Sequence, residues 1–387
     1  MELINKSFEI LKDYIETEAY CGWDPYDALS SPLFRIPLLK SNKKLRFTAQ
    51  QFIKRVPFNL RNMLAIPKGY NPVTLGLVLQ GYSLLYEKEN NPVEKEVLIK
   101  KIIFLVSELE KLQSRNFSGS CWGYDFDWEA RHASIAAFQP TIVATGFITN
   151  ALYTCYSITK NQKAKDLLVS SSEFILNDLT RTYSSTRKNS YCFSYSPFDN
   201  QVVFNASMKG ARLLSQVYTV TNNTKLIEEA KRAVDFVIER QNEDGSWFYS
   251  LAQSGKYIDN YHTGYVLDCL DEYRIKSQDP SYDNNIKKGF EYYLNNFIED
   301  GAPKFYNDKK YPIDCTSAAQ SILTLIRFGN YGTAVKVAEY MINTMQNKNG
   351  YFYFRKYKNR IVKTSFMRWS NSWMFLALAK ILIGKQI

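Results

Sequence analysis

The feature that most constrains this chain is a degenerate repeat of about 55 residues. Three segments share a turn followed by aromatic rings: Gln241-Asn-Glu-Asp-Gly-Ser-Trp-Phe-Tyr249, Gln346-Asn-Lys-Asn-Gly-Tyr-Phe-Tyr-Phe354 and Glu299-Asp-Gly-Ala-Pro-Lys-Phe-Tyr306. Two more, Ser118-Gly-Ser-Cys-Trp-Gly-Tyr124 and Asn189-Ser-Tyr-Cys-Phe-Ser-Tyr195, keep the aromatic end. Between them, apolar residues recur at i, i+3, i+4 and i+7, the period of an amphipathic helix, with almost no alternating strand pattern. The pattern predicts twelve helices, near 3–18, 72–88, 92–114, 139–159, 163–181, 203–221, 224–241, 260–276, 281–298, 314–328, 331–347 and 367–384. Short links such as Lys160-Asn161-Gln162, Asn222-Asn223 and Gly329-Asn330 close hairpins. The long aromatic links join one hairpin to the next.

A hairpin of this kind buries its apolar face only against neighbours, so the units must stack. Six can close into a ring in which the last helix pairs with the N-terminal one. The expectation is therefore all-α: an (α/α)6 toroid, a single domain over 1–387, with an irregular segment 19–71 packed on the ring. An open superhelix of shorter, more regular repeats fits less well, because such repeats lack long aromatic links. The helices after long links begin with small residues, Ala206-Ser207, Thr263-Gly264, Thr316-Ser317-Ala318-Ala319 and Ser370-Asn371-Ser372. Small residues suit close-packed inner helices. Their N-termini, with free amides and partial positive charge, would gather at one end with the long links, and that end is the expected site.

Composition narrows the function. With 387 residues, 45% hydrophobic, the chain can bury a large core. It has no apolar run of membrane-spanning length, and its N-terminus reads as an amphipathic helix rather than a secretion signal. Cys21, Cys121, Cys155, Cys192, Cys269 and Cys315 are scattered without zinc-finger spacing, which suits a reducing, cytoplasmic setting. A formal charge of +11 and a pI near 9.1 favour an anionic partner. The densest basic stretch, Arg355 to Lys363, matches no nucleic-acid motif. No glycine-rich phosphate loop or dinucleotide fingerprint occurs. We expect no cofactor, no metal and no nucleic acid; the lack of a spanning segment leaves room for peripheral membrane contact.

Several segments resemble bacterial proteins encoded with surface-polysaccharide biosynthesis genes: Gly22-Trp-Asp-Pro-Tyr-Asp-Ala-Leu29, Cys121-Trp-Gly-Tyr-Asp-Phe-Asp-Trp128, Cys192-Phe-Ser-Tyr-Ser-Pro197, Gln241 to Trp247, Tyr257-Ile-Asp-Asn-Tyr-His-Thr-Gly264 and Tyr311-Pro-Ile-Asp-Cys-Thr-Ser-Ala-Ala-Gln320. Some members of that family are labelled delta-aminolevulinic acid dehydratase, a TIM-barrel enzyme whose βα alternation is absent here. The resemblance implies an α/α toroid related to glycan epimerases, lyases and six-hairpin hydrolases. Gln241, Gly245 and Trp247 also look like the QW motif of terpene cyclases, but the protonating Asp-x-Asp-Asp is missing. The zinc set of protein prenyltransferases is not matched either, since Asp314 and Cys315 are adjacent.

The candidate residues cluster on the links. Trp122, Tyr124 and Trp128, and Trp247 from the next link of the same kind, are flat apolar surfaces that suit the C–H faces of sugars; they equally suit a packed core. An extended link would put Trp122, Tyr124, Phe126 and Trp128 on one face and Asp125 and Asp127 on the other. Asp127 is a candidate acid or base, with Asp125, Glu129, Arg131 and His132 beside it, although such a cluster also suits a solvated ion network. Asp259, Tyr261 and His262 open one inner helix, where Asp259 can be a cap or a carboxylate in the chemistry. Asp314 has the same two readings. Arg368 and Trp369 open the last helix, and Arg368 can hold a carboxylate or pair with a structural aspartate. Tyr195 and Tyr261 are candidates for proton transfer.

These groups suit uronate chemistry: neutralise the carboxylate, remove the C5 proton with a base, and deliver a proton with an acid. The expectation is an enzyme of surface-glycan biosynthesis acting on an anionic oligo- or polysaccharide, free or lipid-linked, by epimerase- or lyase-type proton abstraction. Two alternatives remain at this point. One is a six-hairpin glycoside hydrolase pairing Asp127 with Asp259 or Asp314. The other is a non-catalytic glycan-binding or assembly protein.

Overall fold

A computed structural model describes residues 1–129 and 134–384. Helix α1 (Glu2–Thr17) opens the chain, followed by α2 (Pro37–Ser41) and α3 (Lys43–Arg55). The hairpins come next: α4 (Pro72–Lys88) with α5 (Pro92–Lys111), α6 (Ile142–Thr159) with α7 (Gln162–Glu173), and α8 (Phe204–Thr221) with α9 (Thr224–Ile238). Then follow α10 (Asn260–Ser277) with α11 (Asp283–Phe297), α12 (Cys315–Arg327) with α13 (Tyr331–Met345), and α14 (Ser372–Ile383), which packs on α1.

Each even-numbered helix from α4 to α14 packs against the next, and α14 packs back on α4, so the inner ring is closed. This is the (α/α)6 toroid. The two rings differ in residue pattern for a physical reason. An inner helix touches neighbours on every side, and α8 is buried from Phe204 to Val217 without a break. An outer helix keeps one stripe inward: α9 buries Leu226, Ala230, Ala233, Val234 and Val237 and shows its charges to water. Asparagine explains the short links. Asn91, Asn161 and Asn223 each accept a backbone N–H at the start of an outer helix. Lys160 and Asn222, just before two of them, take the left-handed conformation that ends the inner helix.

The repeat in the long links also has a structural meaning. The Gln241 amide donates to Gly245 O and to Asn285 O of α11. The Gln346 amide donates equivalently to Gly350 O and to Ser7 O of α1. Each link glycine lies against the next outer helix. A Cβ on Gly245 would sit 2.4 Å from Lys288 O, and one on Gly350 would sit 2.3 Å from Ile10 O. The tryptophans repeat too: Trp122 Nε1 donates to Leu109 O at 2.8 Å, and Trp247 Nε1 to Val237 O at 3.1 Å, each near the end of the preceding outer helix.

Two elements depart from the sequence reading. The segment 19–71 is not irregular throughout, because it contains α2 and α3. The link after α13 folds as a strand hairpin, Tyr353–Lys356 with Ile361–Ser365, that also pairs with Ile313–Asp314. No helix among the described residues is long and apolar enough to cross a membrane.

Candidate functional site

The inner-helix N-termini and the long links surround an axial pocket of 220 Å³. It opens into a cleft of 1070 Å³ bounded by Phe47, Gln51 and Arg55 of α3 and by the links around 200–203, 249–257 and Tyr306. Its floor is an aromatic trio across the ring axis: Phe147 lies 5.2 Å from Tyr265 and 5.0 Å from Trp373, centroid to centroid. The walls are almost wholly aromatic. Tyr124 stacks on Phe126 at 5.6 Å, with Trp128 edge-on to Tyr124; Tyr26, Tyr195, Tyr249 and Tyr257 complete the rim, and all of these line the pocket.

His262 is the titratable group of clearest chemistry in the lining. Asp259, the N-cap of α10, uses one oxygen to accept the His262 backbone N–H at 3.0 Å and the other to meet His262 Nδ1 at 2.7 Å. A carboxylate only accepts, so Nδ1 donates, and Nε2 carries the lone pair of a neutral ring. The imidazole is held between Tyr249 and Tyr261, whose centroids are 4.4 and 4.1 Å away. One residue thus caps the helix and orients the imidazole, both because Asp at N-cap lies one turn from the third helical position.

Around this dyad the phenols are held protonated. Burial pushes the Tyr195, Tyr261 and Tyr265 hydroxyls well above the ordinary tyrosine range; neighbouring phenols and, at Tyr261 and Tyr265, Asp259 add to it, while the Arg368 charge opposes it at Tyr195 and Tyr265. Tyr26 is pushed up to about 12, again by burial first. Lys54 of α3 donates to the Tyr26 hydroxyl and lies 3.9 Å above its ring. Burial, then the Arg355 charge, holds the Lys54 ammonium well below its usual range. Asn205, at the start of α8, lines the pocket with its Nδ2 buried and without a hydrogen-bond partner among the described residues.

Arg368 sits in the wall between this pocket and a smaller cavity behind it. Its Nε and Nη2 donate to the two oxygens of Asp24 at 2.6 and 2.9 Å, and its guanidinium lies 4.6 Å from the Tyr124 ring centre. Arg368 is thus paired with a structural aspartate and also lines the pocket. Trp369 also lines the pocket, and its Nε1 donates to Asp314.

The structure brings together Tyr124, Trp128, Tyr195, Tyr261, His262, Arg368 and Trp369, with Asp259 directly behind His262. It does not bring the other candidates to the pocket. Trp122 and Trp247 are buried in the hairpins, as the repeat described above requires. Asp127 is half-exposed, accepts the Ala137 N–H at 3.0 Å and lies 3.9 Å from Arg46. Asp125 turns to the rear cavity, where it accepts from Asn71, and burial raises its carboxyl to about 6. Asp314 is fully buried, capping α12 at Ser317 and bound by Arg355. The link is therefore not a regular strand: Tyr124, Phe126 and Trp128 face the axis while Trp122 packs outward. Arg131 and His132 lie outside the described residues.

Sequence reasoning missed Tyr26, Lys54, Asn205, Tyr249, Tyr257 and Tyr265. Only Tyr265 carried a usable signal, since it follows Tyr261 by one helical turn and so shares its face. Tyr26, Tyr249 and Tyr257 are single members of an abundant class on irregular backbone, and Lys54 and Asn205 lie on helices whose local pattern does not mark them. Among the described residues no group of three or more His, Cys, Asp or Glu side chains comes together as a metal site.

No protein-family model matches the sequence, and a search of curated proteins returns no match. Solved structures do match. Cellobiose 2-epimerase from Bacillus thermoamylovorans aligns with a TM-score of 0.60 at 13% identity, over 81% of this chain and 87% of its own. The GH76 alpha-mannanase of Bacteroides thetaiotaomicron aligns with a TM-score of 0.56 at 13% identity, over 81% and 86%. An unsaturated glucuronyl hydrolase specific for heparin gives 0.56 at 13% identity, over 81% and 87%. At these identities the likeness is one of fold, and the fold is that of the α/α toroids.

Proposed function

We propose that this protein is a carbohydrate-active enzyme that abstracts the C5 proton of a uronate residue in an anionic glycan. The observation that carries the reading is the Asp259–His262 dyad inside an aromatic axial pocket. Flat rings cover the apolar faces of a sugar, and the pocket has room for one ring while the wider cleft accommodates the rest of a chain. His262 Nε2 is the base. As the C5–H bond breaks, its electron pair spreads into the uronate carboxylate, and that developing charge needs donors. The orphaned Asn205 amide and the inner-helix N-termini supply them, and Arg368, whose Nε and Nη2 are held by Asp24, can add only its Nη1. A protonated phenol, Tyr261 or Tyr249, is the acid. If it returns a proton to C5 from the opposite face, the product is the epimer. If it protonates the leaving oxygen at C4, the C4–O bond breaks and a C4–C5 double bond remains.

The fold neighbours, two of them an epimerase and a glucuronyl hydrolase, support a carbohydrate substrate and are compatible with a uronate. The resemblance to surface-polysaccharide proteins supports a biosynthetic role on a free or lipid-linked glycan. The paired-aspartate hydrolase is less well supported, because no carboxylate among the described residues lines the axial pocket.

The test is incubation with a panel of acidic glycans in deuterated water. Deuterium entering C5 without chain cleavage marks an epimerase; new ultraviolet absorbance from the C4–C5 double bond marks a lyase. His262→Ala should lower either signal about 10²–10⁴-fold, the usual worth of a general base. New reducing ends with neither signal, or exchange unaffected in His262→Ala, would sink the mechanism.

A further inference from the structure

Residues 33–68 carry nine Lys and Arg and no Asp or Glu. The same stretch concentrates exposed apolar side chains. Leu38, Phe52, Phe58 and Met63 are 74, 63, 63 and 81% exposed, with Leu33 and Ile36 about half exposed beside them. An isolated exposed leucine is ordinary, but seven of the seventeen large apolar side chains exposed among the described residues fall between 33 and 63.

Helix α3 shows that this is arrangement and not chance exposure. Its inward face is largely polar: beside the buried Ile53 it carries Arg46, Gln50 and Lys54, spaced by four. Arg46 binds the Glu129 carboxylate, Gln50 exchanges two hydrogen bonds with the Glu129 backbone, and Lys54 reaches Tyr26. The outward stripe holds Leu45 and Phe52, one heptad apart, with Arg55 one turn on. A helix that buries Gln50 and Lys54 in the protein while offering Leu45 and Phe52, beside exposed cations, to solvent is suited to a second apolar phase with an anionic surface. Between Phe52 and Phe58 lies an open groove of 570 Å³, with Arg55 and Arg360 in its lining. Arg35, Lys40 and Lys44 are exposed and form no ion pair among the described residues.

We infer that the 33–63 face docks on an anionic phospholipid bilayer. Charge complementarity selects this occupant: the apolar side chains enter the headgroup boundary while the unpaired cations meet lipid phosphates, the two signals together holding a peripheral protein. Phe47, Gln51 and Arg55 also line the cleft, so docking sets the mouth of the site beside the membrane. The inference stands independently of the reaction proposed above.

Sedimentation of the full-length protein with vesicles tests it, using phosphatidylcholine alone and phosphatidylcholine mixed with phosphatidylglycerol. Binding is expected only to the anionic vesicles and should weaken with salt. Leu38→Ser/Phe52→Ser/Phe58→Ser should lower the partition coefficient at least about tenfold with the melting temperature unchanged, because these side chains are exposed. Lys40→Glu/Lys44→Glu should do the same at low salt. No binding to anionic vesicles at low salt overturns the inference, as does unaltered binding by the triple serine variant. Self-association relieved by that variant, without vesicle binding, assigns the face to a second copy and overturns it too. So does retention on heparin without vesicle binding, since a soluble polyanion uses the cations and not the leucine and phenylalanines.

Discussion

At the scale of single residues, Asp259 does two tasks that substitution can separate. Asparagine caps a helix about as well as aspartate, so Asp259→Asn should leave the melting temperature nearly unchanged. The neutral amide, however, no longer stabilises the imidazolium or fixes the Nδ1–H tautomer. Proton exchange at C5 should fall at least about tenfold, with the pH–rate profile displaced, as kinetics against pH would read. Asp125 is a different case. Burial holds its carboxyl at about 6, above the unfolded value near 3.9. The folded chain therefore binds the proton more tightly than the unfolded one, and this group subtracts stability as pH rises from about 4 to 6. Asp125→Asn should raise the melting temperature at neutral pH and flatten its pH dependence across that window, as thermal melts at stepped pH would show.

At the scale of elements, the aromatic links are architecture first. Gly245 has φ +93° and lies against the Lys288 carbonyl, so a side chain there meets both backbone strain and a clash. Gly245→Ala should cost about 1–3 kcal/mol by denaturant unfolding, far more than a typical surface substitution. If it costs nothing, the link does not hold α9 to α11 as described. The same element logic explains Trp122 and Trp247. Each bonds the carbonyl that ends the preceding outer helix, so their repetition in sequence reports joints between hairpins rather than sugar contacts. Helix α3 was illegible for the opposite reason. Leu45 and Phe52 face outward while Arg46, Gln50 and Lys54 face inward beside Ile53, which weakens the usual link between hydrophobic periodicity and burial.

At the scale of the whole molecule, ring closure is the term that most depends on distant residues. Helix α1 buries Ile4, Phe8, Leu11 and Ile15 against α14 and its neighbours, and Phe8 stacks on Phe375 at 5.0 Å. Four such side chains are worth about 6–12 kcal/mol in apolar burial, comparable with the net stability of a domain. Removing residues 1–17 should therefore abolish cooperative unfolding by calorimetry; a truncated chain that still melts sharply would mean the ring tolerates an open seam. Twelve of the fourteen helices among the described residues, the hairpin pairing and the closed ring were legible beforehand. Each follows from local periodicity and from a repeat that cannot bury its faces alone. Which link residues face the axis was not. Tyr26 and Tyr257 line the pocket, whereas Asp127 and Trp122 do not, and nothing in their local pattern separates them. Irregular backbone has no fixed period, so its side chains are aimed by partners far along the chain. Asp24 and Arg368, 344 residues apart, meet in the pocket wall only because the ring closes.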